Sequence, residues 1–138
     1  MTTYPEAWYI IAETRELKHK PLAREVAEVP VVLFRDRRGV AHALFDRCPH
    51  RNVQLSGGRV VKGRLQCPYH GWEFAGNGQC EYIPSLPEGE SIPLKACTTK
   101  IPVIEQQGYL WIWHGDREPD AQEQPFIFPY YGTPGWNY

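Results

Sequence analysis

Short hydrophobic stretches separated by turn residues recur along the chain at intervals of about 8 to 12 residues, a spacing typical of antiparallel sheets. Pro30 is expected to separate one strand from the next, and Gly39 in the hairpin turn 36–39 can adopt positive φ. Helical periodicity is weak. The pattern therefore predicts an all-β chain, with strands at 7–12, 21–28, 31–35, 40–45, 64–66, 72–74, 79–83, 100–105 and 109–113.

The composition agrees with this pattern. The 138 residues include 13 prolines, 12 glycines and 18 aromatic residues (5 Phe, 5 Trp and 8 Tyr), which favours many short elements joined by turns. A chain of this length fits one domain, because single cores usually contain about 100 to 150 residues. We therefore expect a single domain over residues 1–138.

The start of the chain bears on its location. Residues 1–8 contain no basic segment followed by an apolar one, and no window reaches the roughly 18 to 20 apolar residues of a membrane helix. These features predict a cytoplasmic protein with no membrane partner. Its four cysteines are then expected to be reduced.

The net charge of −1 gives no electrostatic reason to expect nucleic acid as a partner. The charge is unevenly distributed, since residues 1–66 carry 12 basic and 7 acidic side chains (+5) and residues 67–138 carry 3 and 9 (−6). One stretch without acids contains Arg47, Arg51, Arg59, Lys62 and Arg64. It either steers an acidic partner or forms an ordinary solvated face.

Two short motifs carry the candidate chemistry. Cys48-Pro49-His50 and Cys67-Pro68-Tyr69-His70 each follow a predicted strand, and each supplies one sulfur and one nitrogen. Thiolates suit iron-sulfur clusters and zinc, and imidazoles suit iron, zinc and copper. A structural Cys2His2 zinc site is the alternative, as are four unrelated buried residues. Zinc is less favoured because neither loop contains the paired cysteines of a zinc knuckle.

Over residues 4–115 the sequence resembles the N-terminal domain of a Rieske non-haem iron oxygenase of the ring-hydroxylating type. The segments that carry this resemblance are 8–9, Cys48-Pro49-His50-Arg51, 55–60, 67–74 (Cys-Pro-Tyr-His-Gly-Trp-Glu-Phe), 78–80, 83–84 and 108–113. The resemblance implies a Rieske fold, an antiparallel β-sandwich base with an inserted smaller cluster-binding subdomain at about 46–84. It also implies one [2Fe-2S] cluster, with Cys48 and Cys67 on one iron and His50 and His70 on the other.

The same resemblance implies one-electron transfer from a reductase or ferredoxin to an oxygenase-type acceptor, and head-to-tail oligomers are common in such systems. Rieske proteins of cytochrome complexes have a disulfide between their ligand loops, but Val53 and Tyr69 occupy those positions here. Those proteins also place hydroxyl groups near the cluster where this chain has Trp72 and Phe74. We therefore expect a low reduction potential. We expect electrons to enter and leave the cluster through His50 and His70.

The remaining candidate residues are expected to have structural roles. His19, His42 and His114 do not form the two-histidine, one-carboxylate set of a mononuclear iron site. Cys80 is expected to be a small buried residue and Cys97 has no assigned role. The chain ends at Tyr138 after an aromatic tail at about 120–138, so a truncated oxygenase lacking its catalytic domain is one alternative. A structural metal-binding module without electron transfer is another.

Overall fold

The computed structural model describes residues 4–50, 52–87, 89–127 and 129, and strands dominate this part of the chain. Two 3₁₀ turns, Thr14–Glu16 and Leu55–Gly57, accompany the strands. The strands are β1 (Ala7–Glu13), β2 (Leu22–Val26), β3 (Val29–Arg35), β4 (Ala41–Phe45), β5 (Arg59–Val61), β6 (Arg64–Gln66), β7 (Glu73–Phe74), β8 (Cys80–Tyr82), β9 (Lys100–Ile101), β10 (Val103–Gln106) and β11 (Tyr109–His114). The expected all-β class is confirmed.

The strands form three antiparallel sheets. The first has the order β1-β11-β10, the second β2-β3-β4-β9 and the third β5-β6-β7-β8. The third sheet is inserted in sequence between β4 and β9, and all its residues fall within the segment 46–84 expected to bind the cluster. The antiparallel sheets and the inserted small sheet agree with the expected Rieske fold.

The second sheet is buried on both faces, which explains the unbroken hydrophobic run at residues 31–34. Alternate residues of a strand point to opposite faces, so β3 and β4 contribute to two separate cores. One core, shared with the first sheet, includes Val31, Leu33, Ala43, Leu110 and Ile112. The other, shared with the third sheet, includes Val32, Phe34, Leu44, Leu65 and Phe74. The site is thus built on a rigid, doubly packed sheet.

Pro30 does not break the strand as expected. It lies inside β3, opposite Glu25, and the hairpin turn is formed instead by residues 27–28, both with positive φ. The Pro30 carbonyl accepts a hydrogen bond from Asp46 N (3.1 Å), but proline has no N–H to return to the Asp46 carbonyl. Arg47 Nη1 donates to that carbonyl at 2.7 Å. A side chain thus supplies the donor that proline lacks, and Pro30 stays paired with β2 at Glu25.

Pro102, in contrast, separates two strands where a single strand was expected. The single strand expected at 100–105 is two strands, and they belong to different sheets: β9 pairs with β4, and β10 pairs with β11. Pro102 lies at the crossing point between these sheets, where its missing N–H breaks no ladder. Its carbonyl accepts a hydrogen bond from Trp113 N at 3.1 Å.

Further expectations concern the bounds of the domain, its subdomain and its tail. Most of the tail at 120–138 lies outside the described residues, and the bounds 1–138 and 46–84 stay predictions. Among the described residues, no helix combines the length and the apolar character needed to cross a membrane.

Candidate metal centre

The two motifs lie in loops of the same design. Cys48 follows β4 closely and Cys67 follows β6 directly, so each loop begins at the end of a strand. Cys48 N donates to Val53 O at 2.8 Å, and Cys67 N donates to Trp72 O at 2.7 Å. Each loop is therefore closed by a backbone hydrogen bond from its cysteine to the residue five positions later.

A second pair of hydrogen bonds completes the loops. The N–H of Asn52 donates to Cys48 O at 2.7 Å, and the N–H of Gly71 donates to Cys67 O at 3.1 Å. Asn52 and Gly71 both have positive φ, 54° and 76°, which lets the chain turn back on itself. These bonds hold the backbone on either side of the candidate donor atoms.

The candidate donors divide into a buried pair and an exposed pair. Cys48 is 1% exposed and Cys67 is 3% exposed, and both belong to the same buried cluster. His50 and His70 are exposed, and their Nδ1 atoms lie 3.3 Å apart. Two nitrogens bound at about 2.0–2.1 Å to one tetrahedral ion would be separated by about 3.3–3.4 Å. The separation of the two imidazole nitrogens is therefore compatible with a shared metal ion, and both candidate thiols are buried.

Aromatic rings flank the two histidines. Trp72 stacks on the His50 ring, with centroids 4.5 Å apart and an angle of 5° between the planes. Trp72 also packs against the buried cluster that contains both cysteines. The same side chain therefore fills space in the core and covers one face of the His50 ring. The exposed Tyr69 ring lies 4.2 Å from that of His70. The histidine pair is thus supported on one side and accessible on the other.

Comparison with known proteins identifies this arrangement. The family model for the Rieske [2Fe-2S] domain matches residues 7–107. The chain belongs to this family. The cofactor of the Rieske domain is accordingly one Rieske-type [2Fe-2S] cluster, and the donor set of two buried thiols and two paired imidazoles fits it.

Similar proteins include oxygenase components. The chain is 42% identical over 132 residues to the dicamba O-demethylase oxygenase component of Stenotrophomonas maltophilia, covering 96% of this chain and 38% of that protein. It is 39% identical over 134 residues to Protein TIC 55, chloroplastic, of Pisum sativum, covering 96% and 24%. A crystal structure of dicamba monooxygenase bound to dicamba matches with a TM-score of 0.83 at 41% identity, covering 92% of this chain and 38% of the other.

The chain thus spans 24 to 38% of the length of these relatives. The resemblance to the Rieske domain of oxygenases is confirmed. Within the described ranges, no three His, Cys, Asp or Glu side chains form a group that could hold one ion. A Rieske centre needs no such group, because each of its two irons takes only two protein ligands.

A buried carboxylate supports the first ligand loop. Asp46 is 1% exposed, and its Oδ1 and Oδ2 accept hydrogen bonds from Ser56 N (2.7 Å) and Ser56 Oγ (2.6 Å). Ser56 lies in the 3₁₀ turn beyond the loop. The carboxylate therefore ties the strand end before Cys48 to the segment after His50. Sequence reasoning missed this role, because an acid beside a basic residue reads as a surface position.

A second buried carboxylate supports the other loop. Glu73 is 4% exposed, and its Oε1 lies 3.0 Å from Arg64 Nη2. Its Oε2 accepts a hydrogen bond from Gln66 Nε2 at 3.2 Å. Glu73 occurs in the segment that carried the family resemblance, but its burial was not foreseen. Both residues of β7 are buried, so the strand lacks the alternation that would have marked an inward acid.

The other cysteines are separate from the candidate donors. Cys80 is buried in the same cluster as Cys48 and Cys67, and burial raises the pKa of its thiol. Its expected place as a small buried residue is confirmed. Cys97 is exposed, and none of the four cysteines forms a disulfide.

The three remaining histidines lie elsewhere. His42 is in β4, and its Nε2 is 2.8 Å from Asp36 Oδ2. This hydrogen bond is the main cause of a lowered pKa at Asp36. His114 ends β11, and His19 is exposed after the first 3₁₀ turn. Their positions agree with structural or surface roles.

Proposed function

We propose that Cys48 and Cys67 bind one iron of the cluster and that His50 and His70 bind the other. The observation that supports this most directly is the 3.3 Å separation of the two Nδ1 atoms, together with the burial of both thiols. A single tetrahedral zinc would instead require all four donors to converge on one ion. The division of the donors into two pairs is what a two-iron centre needs.

The function supported by this site is one-electron transfer. When bound, the cluster supplies a centre that accepts and releases one electron. The protein buries the thiols, holds both loops by backbone hydrogen bonds, and leaves His50 and His70 at the surface. We infer that electrons enter and leave on the histidine side, where a partner can approach within contact distance of the imidazoles.

The surroundings also favour a low potential. Hydrogen bonds to the cluster sulfurs raise the potential of a Rieske centre, since they stabilise its more negative reduced state. Trp72 and Phe74 have no hydroxyl to donate, and Phe74 is fully buried in the core cluster. We propose a midpoint potential towards the lower end of the Rieske range of about −150 to +300 mV. Voltammetry giving a value clearly above zero would overturn this proposal.

Visible absorption and low-temperature EPR, before and after dithionite, test the ligand assignment. The wild-type protein should show a reversibly reducible centre with the rhombic signal of mixed cysteine and histidine ligation. His70→Ala should lose that signal, whereas His19→Ala, a matched change at an exposed histidine outside the site, should keep it. A colourless zinc protein, or an unaltered signal in His70→Ala, would refute the assignment.

The proposed electron donor is a reductase or ferredoxin with an acidic surface. Three side chains of the basic stretch expected to attract this donor already form contacts within the protein. Arg47 donates to Asp46 O, Arg59 donates to Gln66, and Arg64 pairs with Glu73. Arg51 lies outside the described residues. A contiguous stretch of sequence therefore overstates the charge that is free to attract a partner.

A different set of cations is available. Arg37, Arg38 and Lys62 are exposed, form no ion pair within the described part of the chain, and line one open cavity. The same cavity also contains Asp36 and Glu81, which lie beside His42 and Arg64. Arg37 and Lys62 also line an adjoining cavity with Lys18. We define Lys18, Arg37, Arg38 and Lys62 as the basic face, and we propose that it steers an acidic donor towards the domain.

Stopped-flow reduction by an acidic ferredoxin at several ionic strengths tests this role. The double variant Arg37→Glu/Lys62→Glu should slow the second-order reduction rate by about tenfold or more at low salt, with a shallower salt dependence. The control Lys95→Glu places a reversed charge at another exposed lysine and should change the rate far less. Salt-independent reduction of the wild-type protein would refute steering.

The proposed acceptor is the mononuclear iron centre of an oxygenase. Similar proteins include the oxygenase component of dicamba O-demethylase, of which this chain covers 38%. These relatives give no particular support to a dioxygenase, and a cytoplasmic location is likewise only proposed, since another relative is chloroplastic. Oligomers, the expected state of such components, can be tested by size-exclusion chromatography of the holoprotein. A strictly monomeric holoprotein would contradict that part of the proposal.

A further inference from the structure

The third sheet contains an ion pair between a buried carboxylate and a half-buried guanidinium, next to the second ligand loop. Glu73 lies in β7, three residues after His70, and Arg64 begins β6, three residues before Cys67. The two strands pair antiparallel, with Gln66 opposite Glu73. The loop that contains Cys67 and His70 therefore connects the two strands that this ion pair joins.

The charge balance at Glu73 depends on Arg64. Among the described residues, no group forms an aligned hydrogen bond with the buried Glu73 Oε1, although Arg64 Nη2 lies 3.0 Å away. Gln66 contributes a neutral hydrogen bond to the other oxygen. The next acid, Glu81, is 4.0 Å from Arg64 and about half exposed, so water screens it. Arg64 is thus the cation that compensates the buried carboxylate.

We propose that the Arg64–Glu73 pair positions the second ligand loop and keeps the protein beside that loop electrically neutral, so that it helps to set the reduction potential. This inference rests on the proposed ligand set. Net charge near an iron-sulfur cluster is one of the quantities that determine its potential. Reduction adds one negative charge, so a nearby unbalanced cation favours the reduced state and an unbalanced anion opposes it.

This role predicts shifts of opposite sign. Glu73→Gln leaves the Arg64 cation uncompensated and should raise the midpoint potential. Arg64→Gln leaves the buried Glu73 carboxylate and should lower the potential. The double variant removes both charges and should return close to the wild-type value, as neutral replacements of buried ion pairs are often tolerated. A pair that only holds the strands together would not produce this pattern of signs.

The experiment is a redox titration of the wild-type holoprotein and the three variants, monitored by EPR. Each single variant should change the reduction equilibrium at fixed applied potential by about tenfold, which is 59 mV for a one-electron couple. The reduction equilibrium of the double variant should lie within about threefold of that of the wild type. Glu123→Gln, which removes a carboxylate from the exposed Arg117–Glu123 pair outside the third sheet, is the matched control and should leave the potential unchanged.

The outcomes separate this inference from the proposed function. A wild-type protein without a reversible Rieske signal would overturn the function and the inference together. A normal wild-type signal, with both single variants unshifted or shifted in the same direction, would overturn the inference alone. If Glu73→Gln does not fold, Arg64→Gln and the double variant decide: a higher potential in the double variant supports the charge role, and equal potentials refute it.

Discussion

Removing the Asp46 carboxylate should loosen the first ligand loop by a calculable amount. Asp46→Ala leaves two donors, Ser56 N–H and Ser56 Oγ–H, without the acceptors that now lie at 2.7 and 2.6 Å. A polar group left unsatisfied in the interior costs about 1–3 kcal/mol, so two cost about 2–6 kcal/mol.

The lower part of that range is expected for two reasons. Ser56 is half-buried, so water can replace part of the lost hydrogen bonding, and the variant no longer buries a carboxylate. We therefore expect Asp46→Ala to lower the free energy of unfolding by about 2–4 kcal/mol. Ser56→Ala keeps the backbone hydrogen bond and should lose about 1–3 kcal/mol. The double variant should lose less than the sum, because both changes break the same contact.

Urea unfolding of the holoprotein, monitored by far-ultraviolet circular dichroism and in parallel by visible absorption, measures these differences. Asp120→Ala is the matched control, since that side chain is 80% exposed and its loss should change stability by less than about 0.5 kcal/mol. If Asp46→Ala is destabilised by no more than this control, the carboxylate does not anchor the loop.

Three further predictions concern other parts of the domain. Arg35 holds Glu105 by two hydrogen bonds of 2.8 Å, which are the main cause of a lowered Glu105 pKa. The stability that this pair contributes is present above the ordinary pKa of 4.5 and is lost as pH falls through the lowered pKa. The urea midpoints of wild type and Glu105→Gln should therefore converge in acid. A difference between the midpoints that stays constant with pH would contradict this. Gly58→Ala places a Cβ against the carbonyl of Gln66, which precedes the candidate ligand Cys67, and should abolish the visible spectrum of the cluster. A normal spectrum would show that the backbone can move to accommodate the methyl group. Leu55→Ala, at a fully buried side chain of the core below the site, should lower the free energy of unfolding by about 2–5 kcal/mol in urea titrations; a loss below 1 kcal/mol would mean that the core collapses around the cavity.

Local signals in the sequence predicted the strands and turns well. The turn 36–39 has Gly39 at φ 83°, and β6 covers the residues expected of it. The two prolines were misjudged in opposite directions, because the effect of a proline depends on which neighbour would have received its N–H. At Pro30 the guanidinium of Arg47 supplies the missing donor, and at Pro102 the chain passes from one sheet to another.

The candidate donors could be read from the sequence, because the identity and spacing of cysteine and histidine are local properties that a cluster demands. The buried supports could not, because burial of an acid depends on what packs over it. Asp46 and Glu73 become internal only once β3, β4 and the third sheet enclose a common core. The basic face likewise joins side chains from three distant segments, at Lys18, at Arg37 and Arg38, and at Lys62. The sequence by itself determined the candidate donors of the metal centre, whereas the tertiary structure alone decided which charges are buried near their loops and which stay exposed, since both depend on contacts between residues far apart in the chain.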